Sequence, residues 1–405
     1  MIIRTEYMNQ LKIWKDKNII KVVTGIRRCG KSTLLEMFRK YLIESGVESN
    51  QIVFINFEAL EFESLTNYKS LYEYLVNLLI PNKNMYIFLD EIQNVKDYEK
   101  VVDSLFVKGN IDIYITGSNS YLFSGQLATN LRGRYIEISM LPLSFKEFHS
   151  LSNDTPTKSF RKYMTVGGMP YLTQYSLDEQ QINTYLEGIY NTVLIKDIEE
   201  RINRKRKGVK EKNITDVALL KAVSKYCSSV IGSPVSLRGI TNYFISNERK
   251  ISPNTISDYV DALCESYLYY PVDLIDISGK QLLKSNKKYY IVDLGIRNHI
   301  LLKKQYDLGF SIENIVYFEL LRRGYQVNIG KLGENEIDFV AKKSDEYTYI
   351  QVSANLTAES TFKRELTPLE KINDNYEKIV LTLDEFSIGN YNGIKVINII
   401  EWLLA

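Results

Sequence analysis

Residues 25–33 read Gly25-Ile26-Arg27-Arg28-Cys29-Gly30-Lys31-Ser32-Thr33, and the fold of the N-terminal part follows from them. The run fits the pattern G-x-x-x-x-G-K-[ST], a loop that wraps a phosphate in backbone N–H groups. Residues 19–24 (Ile-Ile-Lys-Val-Val-Thr) have the composition of a short buried strand, and Leu34, Leu35, Phe38 and Leu42 recur at helical spacing behind the loop. A glycine loop that opens a helix points the positive end of the helix dipole at an anion. Gly25, Arg28, Cys29, Gly30, Lys31, Ser32 and Thr33 are therefore the candidate ATP contacts. Lys31 would neutralise the β- and γ-phosphates, and Ser32 would ligate Mg²⁺.

Outward from the loop, residues 52–57, 85–89, 111–116 and 135–140 are strand-like, and helical patterns at 70–79 and 97–106 separate some of them. Alternating strands and helices predict an α/β fold with a mainly parallel sheet covered on both faces, whose ligands sit at the carboxyl ends of the strands. The strand at 85–89 runs straight into Asp90 and Glu91. An apolar strand ending in two acids, downstream of a phosphate loop, reads as a Walker B element. Asp90 holds Mg²⁺ through water and Glu91 polarises the attacking water. The next strand ends in Thr116-Gly117-Ser118-Asn119-Ser120, where Asn119, with Ser118 as its rival, is placed to orient that water; an ordinary turn is the alternative. Arg132 and Arg134 flank Gly133 just before the last core strand. They are candidate catalytic arginines for a γ-phosphate on their own subunit or a neighbour, against the plainer alternative of a solvated surface pair.

The 405-residue chain carries 51 basic and 49 acidic residues, a net charge of +2, so global charge argues neither for nor against a polyanionic partner. Three scattered cysteines (Cys29, Cys227, Cys264) make no disulfide framework or metal-ligand spacing and fit a reducing compartment. Two histidines leave little material for zinc chemistry or histidine-based triads. No apolar run is long enough to span a bilayer and the N-terminus lacks a signal peptide's apolar core, so the expected location is cytoplasmic, with no membrane partner.

Four segments together strongly resemble the prokaryotic AAA-type P-loop ATPases related to the archaeal ATPase and STAND-like clades. They are Gly-Ile-Arg-Arg-x-Gly-Lys-Ser-Thr at 25–33, Phe-Leu-Asp-Glu-Ile-Gln at 88–93, Thr-Gly-Ser-Asn-Ser at 116–120, and the run at 133–148 from Gly-Arg-Tyr to Phe-x-Glu-Phe. Residues 163–172, with Gly167-Gly168-Met169-Pro170-Tyr171, look like the Gly-Gly-x-Pro segment of that family's helical lid. The resemblance runs on into the family's C-terminal domain of unknown function. It implies Mg²⁺-dependent ATP hydrolysis and names no physiological substrate.

Beyond the lid, seven of the twelve residues 201–212 are basic and one is acidic. Such a cluster neutralises nucleic-acid phosphates, or serves equally as a solvated hinge. Helical patterns at 216–226, from Ser236 and from Ser252, then a strand at 267–272, outline a winged helix-turn-helix. Asn254, Thr255 and Ser257 would face DNA, although Asp258, Asp261 and Glu265 within 252–265 disfavour phosphate approach, and winged helices also dock proteins. Further on, an amphipathic helix at 311–323 ending at Gly324 precedes strands at 325–329, 336–340 and 347–352. This order resembles the PD-(D/E)XK nuclease fold, and Glu313 and Asp338 match its first two acidic positions. Gln351 and Ser353 stand where Glu-x-Lys is expected, which weakens a hard cation's site and removes the lysine, unless one such as Lys331 or Lys363 has taken its place.

The sequence thus reads as four domains: an ATPase core at 1–148, a helical lid and the start of the basic linker at 149–205, a winged helix at 206–285, and a PD-(D/E)XK-like α/β domain at 286–405. The expected function is Mg²⁺-dependent ATP hydrolysis coupled to DNA through 201–212 and 252–265, in a homo-oligomer if an arginine works in trans. The alternative is a STAND-like nucleotide switch whose C-terminal half docks a protein partner. An ATP-regulated nuclease stands behind both.

Overall fold

The computed structural model describes residues 2–118, 133–174, 177–193, 198, 216–247, 249, 251–283, 286–302 and 307–405. The chain divides into two compact units, Met1–Pro142 with Glu265–Tyr267, and Leu143–Cys264 with Leu268–Ala405.

In the first unit, α1 (Thr5–Trp14) precedes β1 (Ile20–Thr24), α2 (Lys31–Glu44), β2 (Ile52–Asn56), α3 (Tyr68–Asn77), β3 (Met85–Asp90), α4 (Tyr98–Phe106), β4 (Ile111–Gly117) and β5 (Tyr135–Ser139). The strands form one parallel sheet of five in the order β2-β3-β4-β1-β5. Strands β1, β3 and β4 are buried along their whole length, which is why they read as continuous apolar runs and not as alternating ones. Ile87, Leu89, Ile113 and Ile115 pack with Leu71 and Leu75 of α3 and with Val101, Val102 and Leu105 of α4. Because β3, β4 and β1 are neighbours in register (Leu89 beside Ile115, Val23 beside Thr116), their carboxyl ends bring Asp90, Gly117 and Thr24 to one edge. Helix α1 was not expected from the sequence; it buries Tyr7, Met8 and Leu11.

In the second unit come α5 (Phe145–His149), α6 (Pro156–Val166), α7 (Glu179–Asn191), α8 (Val217–Ser229), α9 (Leu237–Ser246) and α10 (Pro253–Glu265). Their starts are written locally. Ser144, Thr155, Asp178, Asp216 and Ser236 each accept the backbone N–H three residues on, the capping bond that offsets an orphan donor. Strands β6 (Tyr269–Val272), β7 (Leu274–Asp276), β8 (Gln281–Leu282) and β9 (Lys288–Ile291) follow, then α11 (Leu294–Leu301) and α12 (Leu308–Arg322). The rest is β10 (Gln326–Leu332), β11 (Asn335–Lys343), β12 (Glu346–Ser353), α13 (Glu359–Glu370), β13 (Glu377–Thr382), β14 (Gly389–Tyr391), β15 (Ile394–Asn398) and α14 (Ile399–Leu404). An eight-stranded mixed sheet runs β14-β15-β13-β12-β11-β10-β7-β8, while β6 pairs antiparallel with β9 alone.

One expectation is corrected here. Helix α12 is not amphipathic: every residue from Ser311 to Leu320 is buried. Asn314 is met internally, donating to Ile291 O and accepting from Ile291 N, both at 2.9 Å. Among the described residues no helix is long and apolar enough to cross a membrane.

Candidate functional site

The loop between β1 and α2 has the backbone its glycines were expected to supply. Gly25 and Gly30 adopt φ of +139° and +106°, and a Cβ on Gly25 would lie 2.0 Å from the Met140 carbonyl oxygen. Gly30 precedes the helix, so Lys31 is its first residue, with the N-terminal N–H groups facing the loop. The Lys31 side chain is buried, donates to Gly25 O at 3.0 Å and Ile26 O at 3.3 Å, and stands 3.7 Å from the Glu91 carboxylate. Ser32 follows on the same turn, Arg28 and Thr33 are exposed, and Arg27 pairs with Glu58 at 2.8 Å. Cys29 is fully buried, and burial pushes its thiol up, so it packs as a small neutral group.

Asp90 and Glu91 meet this loop from the end of β3. Asp90 is fully buried, and its Oδ1 accepts from Thr116 Oγ1 at 2.5 Å while its Oδ2 has no hydrogen-bond partner among the described residues. Burial holds its carboxyl above the usual range, opposed by hydrogen bonds from Thr116 and Ser32. An orphaned carboxylate oxygen beside a serine hydroxyl is a hard-oxygen set, so Asp90 and Ser32 fit a Mg²⁺ ion. Glu91 adopts a left-handed backbone with φ of +54°. Burial raises its carboxyl, but the Lys31 charge, a hydrogen bond from Gln93 and the Arg27 charge outweigh that and hold it below the usual range.

Three residues to which the sequence reading gave no role organise this site. Thr116 bridges the two acids, accepting from Glu91 N at 2.8 Å as well as donating to Asp90. Gln93 donates through Nε2 to Glu91 Oε2 and, at 3.5 Å, to Ser118 Oγ. Arg4, ahead of α1, donates to Cys29 O (3.3 Å), Leu141 O (2.9 Å) and Pro142 O (3.3 Å), tying the phosphate loop to the segment that leaves β5. Thr116 and Arg4 have no local signal, because their partners are distant in sequence, whereas Gln93 lies two residues from Glu91 in the Asp-Glu-Ile-Gln run and its spacing could have found it. Asn119 and Arg132 lie outside the described residues.

The own-subunit option is corrected for Arg134. Its carbonyl accepts from Ile20 N at 2.8 Å, at the amino end of β1, so the length of a strand separates it from the phosphate loop. Its guanidinium pairs with Asp103 and lies 5.6 Å from the Phe106 ring centre.

In the second unit Glu313, Asp338 and Gln351 come together around a cavity of about 410 Å³, which Glu336, Arg364 and Glu365 also line. Ser353 is not among its lining residues and donates to Asn355 O at 3.2 Å. Lys331 is exposed, and Lys363 pairs with Glu359 at 2.6 Å. Lys288 on β9 is almost fully buried, and its ammonium bridges Glu313 (3.1 Å) and Glu336 (2.7 Å). Burial alone would lower the Lys288 ammonium, but Glu313, Asp338 and Glu336 reverse this and raise it. Tyr290 also donates to Glu313, at 2.6 Å. Burial pushes Glu313 up against the pull of Lys288, and burial and the Glu313 charge push Asp338 well above its usual range. Gln351 is used at both ends, accepting from Asp338 N at 2.7 Å and donating to Glu365 at 3.2 Å. Among the described residues no cluster of three or more His, Cys, Asp or Glu is arranged to hold a metal ion.

Comparison with known proteins agrees with the first unit. Residues 17–149 match an AAA domain, and 157–307 match a domain of unknown function. An uncharacterized protein of Methanocaldococcus jannaschii is 29% identical over 376 residues, spanning 87% of this chain and 78% of that one. Among solved structures, a Walker-type ATPase of Pyrococcus abyssi is similar with a TM-score of 0.50 at 15% identity, over 74% of this chain and 96% of that one, a likeness of fold. An uncharacterized protein of Haemophilus influenzae is 40% identical over 411 residues, 100% of this chain and 99% of that one. The chain belongs to the same family as that Haemophilus protein, and its AAA domain places it in the P-loop ATPase class.

Proposed function

We propose that the first unit hydrolyses ATP with Mg²⁺ and that hydrolysis is coupled to nucleic acid. The observation that carries the hydrolytic reading is the meeting of Lys31, Asp90 and Glu91 at one sheet edge, with a lysine 3.7 Å from an ionised glutamate. When ATP enters, Lys31 exchanges the Gly25 and Ile26 carbonyls for the β- and γ-phosphates. Glu91 then stands free to accept a proton from water. Asp90 and Ser32 would hold Mg²⁺, which when bound offsets charge on the phosphoryl oxygens. Asn119 is proposed to orient the water. Arg132, and Arg134 through a neighbouring subunit, are proposed to stabilise the transition state.

The coupling rests on the basic composition of 201–212 and on 252–265, where Asn254 is exposed at the start of α10. The switch reading has its own support. Ser257 is hydrogen-bonded to Asp261 at 3.3 Å, which leaves less of that helix for phosphates and favours a protein partner. The test is steady-state ATP hydrolysis with Mg²⁺, with and without duplex and single-stranded DNA, at two salt concentrations. Stimulation that weakens with salt supports coupling to nucleic acid. Hydrolysis indifferent to DNA refutes the coupling and leaves the protein switch, and no hydrolysis under any condition refutes the catalytic assignment.

A further inference from the structure

Glu91 turns out of β3 in a left-handed conformation, φ +54° and ψ +47°, which costs a residue with a Cβ and is kept only where surrounding contacts hold it. Two contacts are visible. Thr116 takes its N–H, and Gln93 takes its carboxylate. The Gln93 amide has one acceptable orientation, because an ionised carboxylate only accepts and so requires the Nε2 end. The other end, Oε1, is buried with no hydrogen-bond partner among the described residues. Fixing the amide this way strands a polar oxygen, a cost that folding alone gives no reason to bear.

We propose that Gln93 is a positioning residue for ATP hydrolysis, holding the Glu91 carboxylate, together with Ser118, in the rotamer that faces the attacking water. Its donor reaches one Glu91 oxygen and so leaves the other toward Lys31, whose ammonium lies 3.7 Å from Oε1. When Lys31 moves to phosphate, the Gln93 bond is what remains to keep Glu91 from rotating away. The role acts on turnover and not on nucleotide capture, since Gln93 donates to Glu91 and Ser118 and neither is a loop residue. The inference rests on the hydrolytic reading given above.

The experiment compares the full-length protein with Gln93→Met, Glu91→Gln and the double variant. It measures binding of a fluorescent ATP analogue without metal, melting temperature, and kcat and KM. Gln93→Met should bind the analogue within about twofold of the unaltered protein and lose kcat by roughly tenfold to a hundredfold, the worth of one hydrogen bond to a charged group. Its effect should vanish in the Glu91→Gln background, where there is no carboxylate left to hold. The proposal is overturned if kcat stays within about twofold, if binding falls in parallel, or if the loss is undiminished in the double variant. Should Gln93→Met fail to fold by its melting curve, Gln93→Asn keeps an amide that falls short of Glu91 and is read by the same criteria. If Glu91→Gln alone hydrolyses at the full rate, the hydrolytic reading fails instead, and the two failures are told apart.

Discussion

Replacing Thr116 by valine removes a hydroxyl from the centre of the candidate site while keeping the side chain's shape. Thr116 is fully buried and makes two bonds, donating to Asp90 Oδ1 at 2.5 Å and accepting from Glu91 N at 2.8 Å. The first is a hydrogen bond to a carboxylate, about 1.5–3 kcal/mol, and the second leaves a buried N–H unmet, about 1–3 kcal/mol. The two share one oxygen and do not add fully, so about 3 kcal/mol is the working figure. For a unit of this size that lowers the melting temperature by roughly 6–12 °C. The chain has two tryptophans, Trp14 in the first unit and Trp402 in the second. A Trp402→Phe background therefore leaves Trp14 to report the first unit's unfolding. Thr116→Ser is the control, because it keeps the hydroxyl and loses only a methyl, about 1 kcal/mol. If Thr116→Val is as stable as Thr116→Ser, the hydroxyl is not bridging the two acids and the geometry drawn for Glu91 fails with it.

Lys31→Ala should abolish ATP binding in an equilibrium titration, and retained tight binding would remove the phosphate-loop assignment. Glu91→Gln should retain bound ATP while turnover falls to a small residual rate, and unchanged turnover would place the base elsewhere. Lys288→Met should cost the second unit about 3–5 kcal/mol by leaving Glu313 buried without its cation, and adding Glu313→Gln should recover part of it; urea unfolding followed by Trp402 decides this. Asp293, buried, caps α11 through Ile296 N at 3.0 Å and binds Gly168 N at 2.6 Å, yet burial pushes its carboxyl up to about 6 from 3.8. A carboxyl raised on folding adds stability that is full below the unfolded value and is lost as pH rises through the folded one. The stability difference between the unaltered protein and Asp293→Asn should thus shift by about 2 kcal/mol between pH 4 and pH 7, the unaltered protein weakening toward pH 7. A pH-independent difference would refute it.

What the sequence made legible divides along a physical line. Strands β1 to β5 were readable, each ending within one residue of its expected place; β1, β3 and β4, buried along their whole length, are unbroken apolar runs, while the edge strands β2 and β5 are only partly buried. The phosphate loop and the acid pair were readable because their chemistry is contiguous. The roles of Thr116 and Arg4 were not, since Thr116 reaches Glu91 across 25 residues and Arg4 reaches Leu141 across 137, while Gln93 is only two residues from Glu91 and its role was missed although it is local. Helix α12 was misjudged for a related reason. Glu313 and Asn314 look like a solvent face in sequence, and only the placement of Lys288, Tyr290 and Ile291 beside them makes their burial tolerable. Strands β7 and β8 have three and two residues, too short for any period to register, yet β7 pairs with β10 and extends the sheet.

The cavity around Glu313 and Asp338 shows why matching acids do not by themselves make a metal site. A divalent cation needs carboxylate oxygens that are ionised and uncommitted. Here Lys288 already sits between Glu313 and Glu336 as an internal cation, and Tyr290 takes a further hydrogen bond to Glu313. Asp338 is pushed toward its protonated form by burial and by Glu313, and one of its oxygens is bound to Val352 N at 2.8 Å. Gln351, where a carboxylate was expected, spends its carbonyl on Asp338 N and its amide on Glu365. A cation entering this cavity has to displace the Lys288 ammonium from a buried pair, and breaking such a pair costs about 3–5 kcal/mol before any ligand bond is made. That cost argues against a divalent-cation site between Glu313 and Asp338, even though both acids line one cavity.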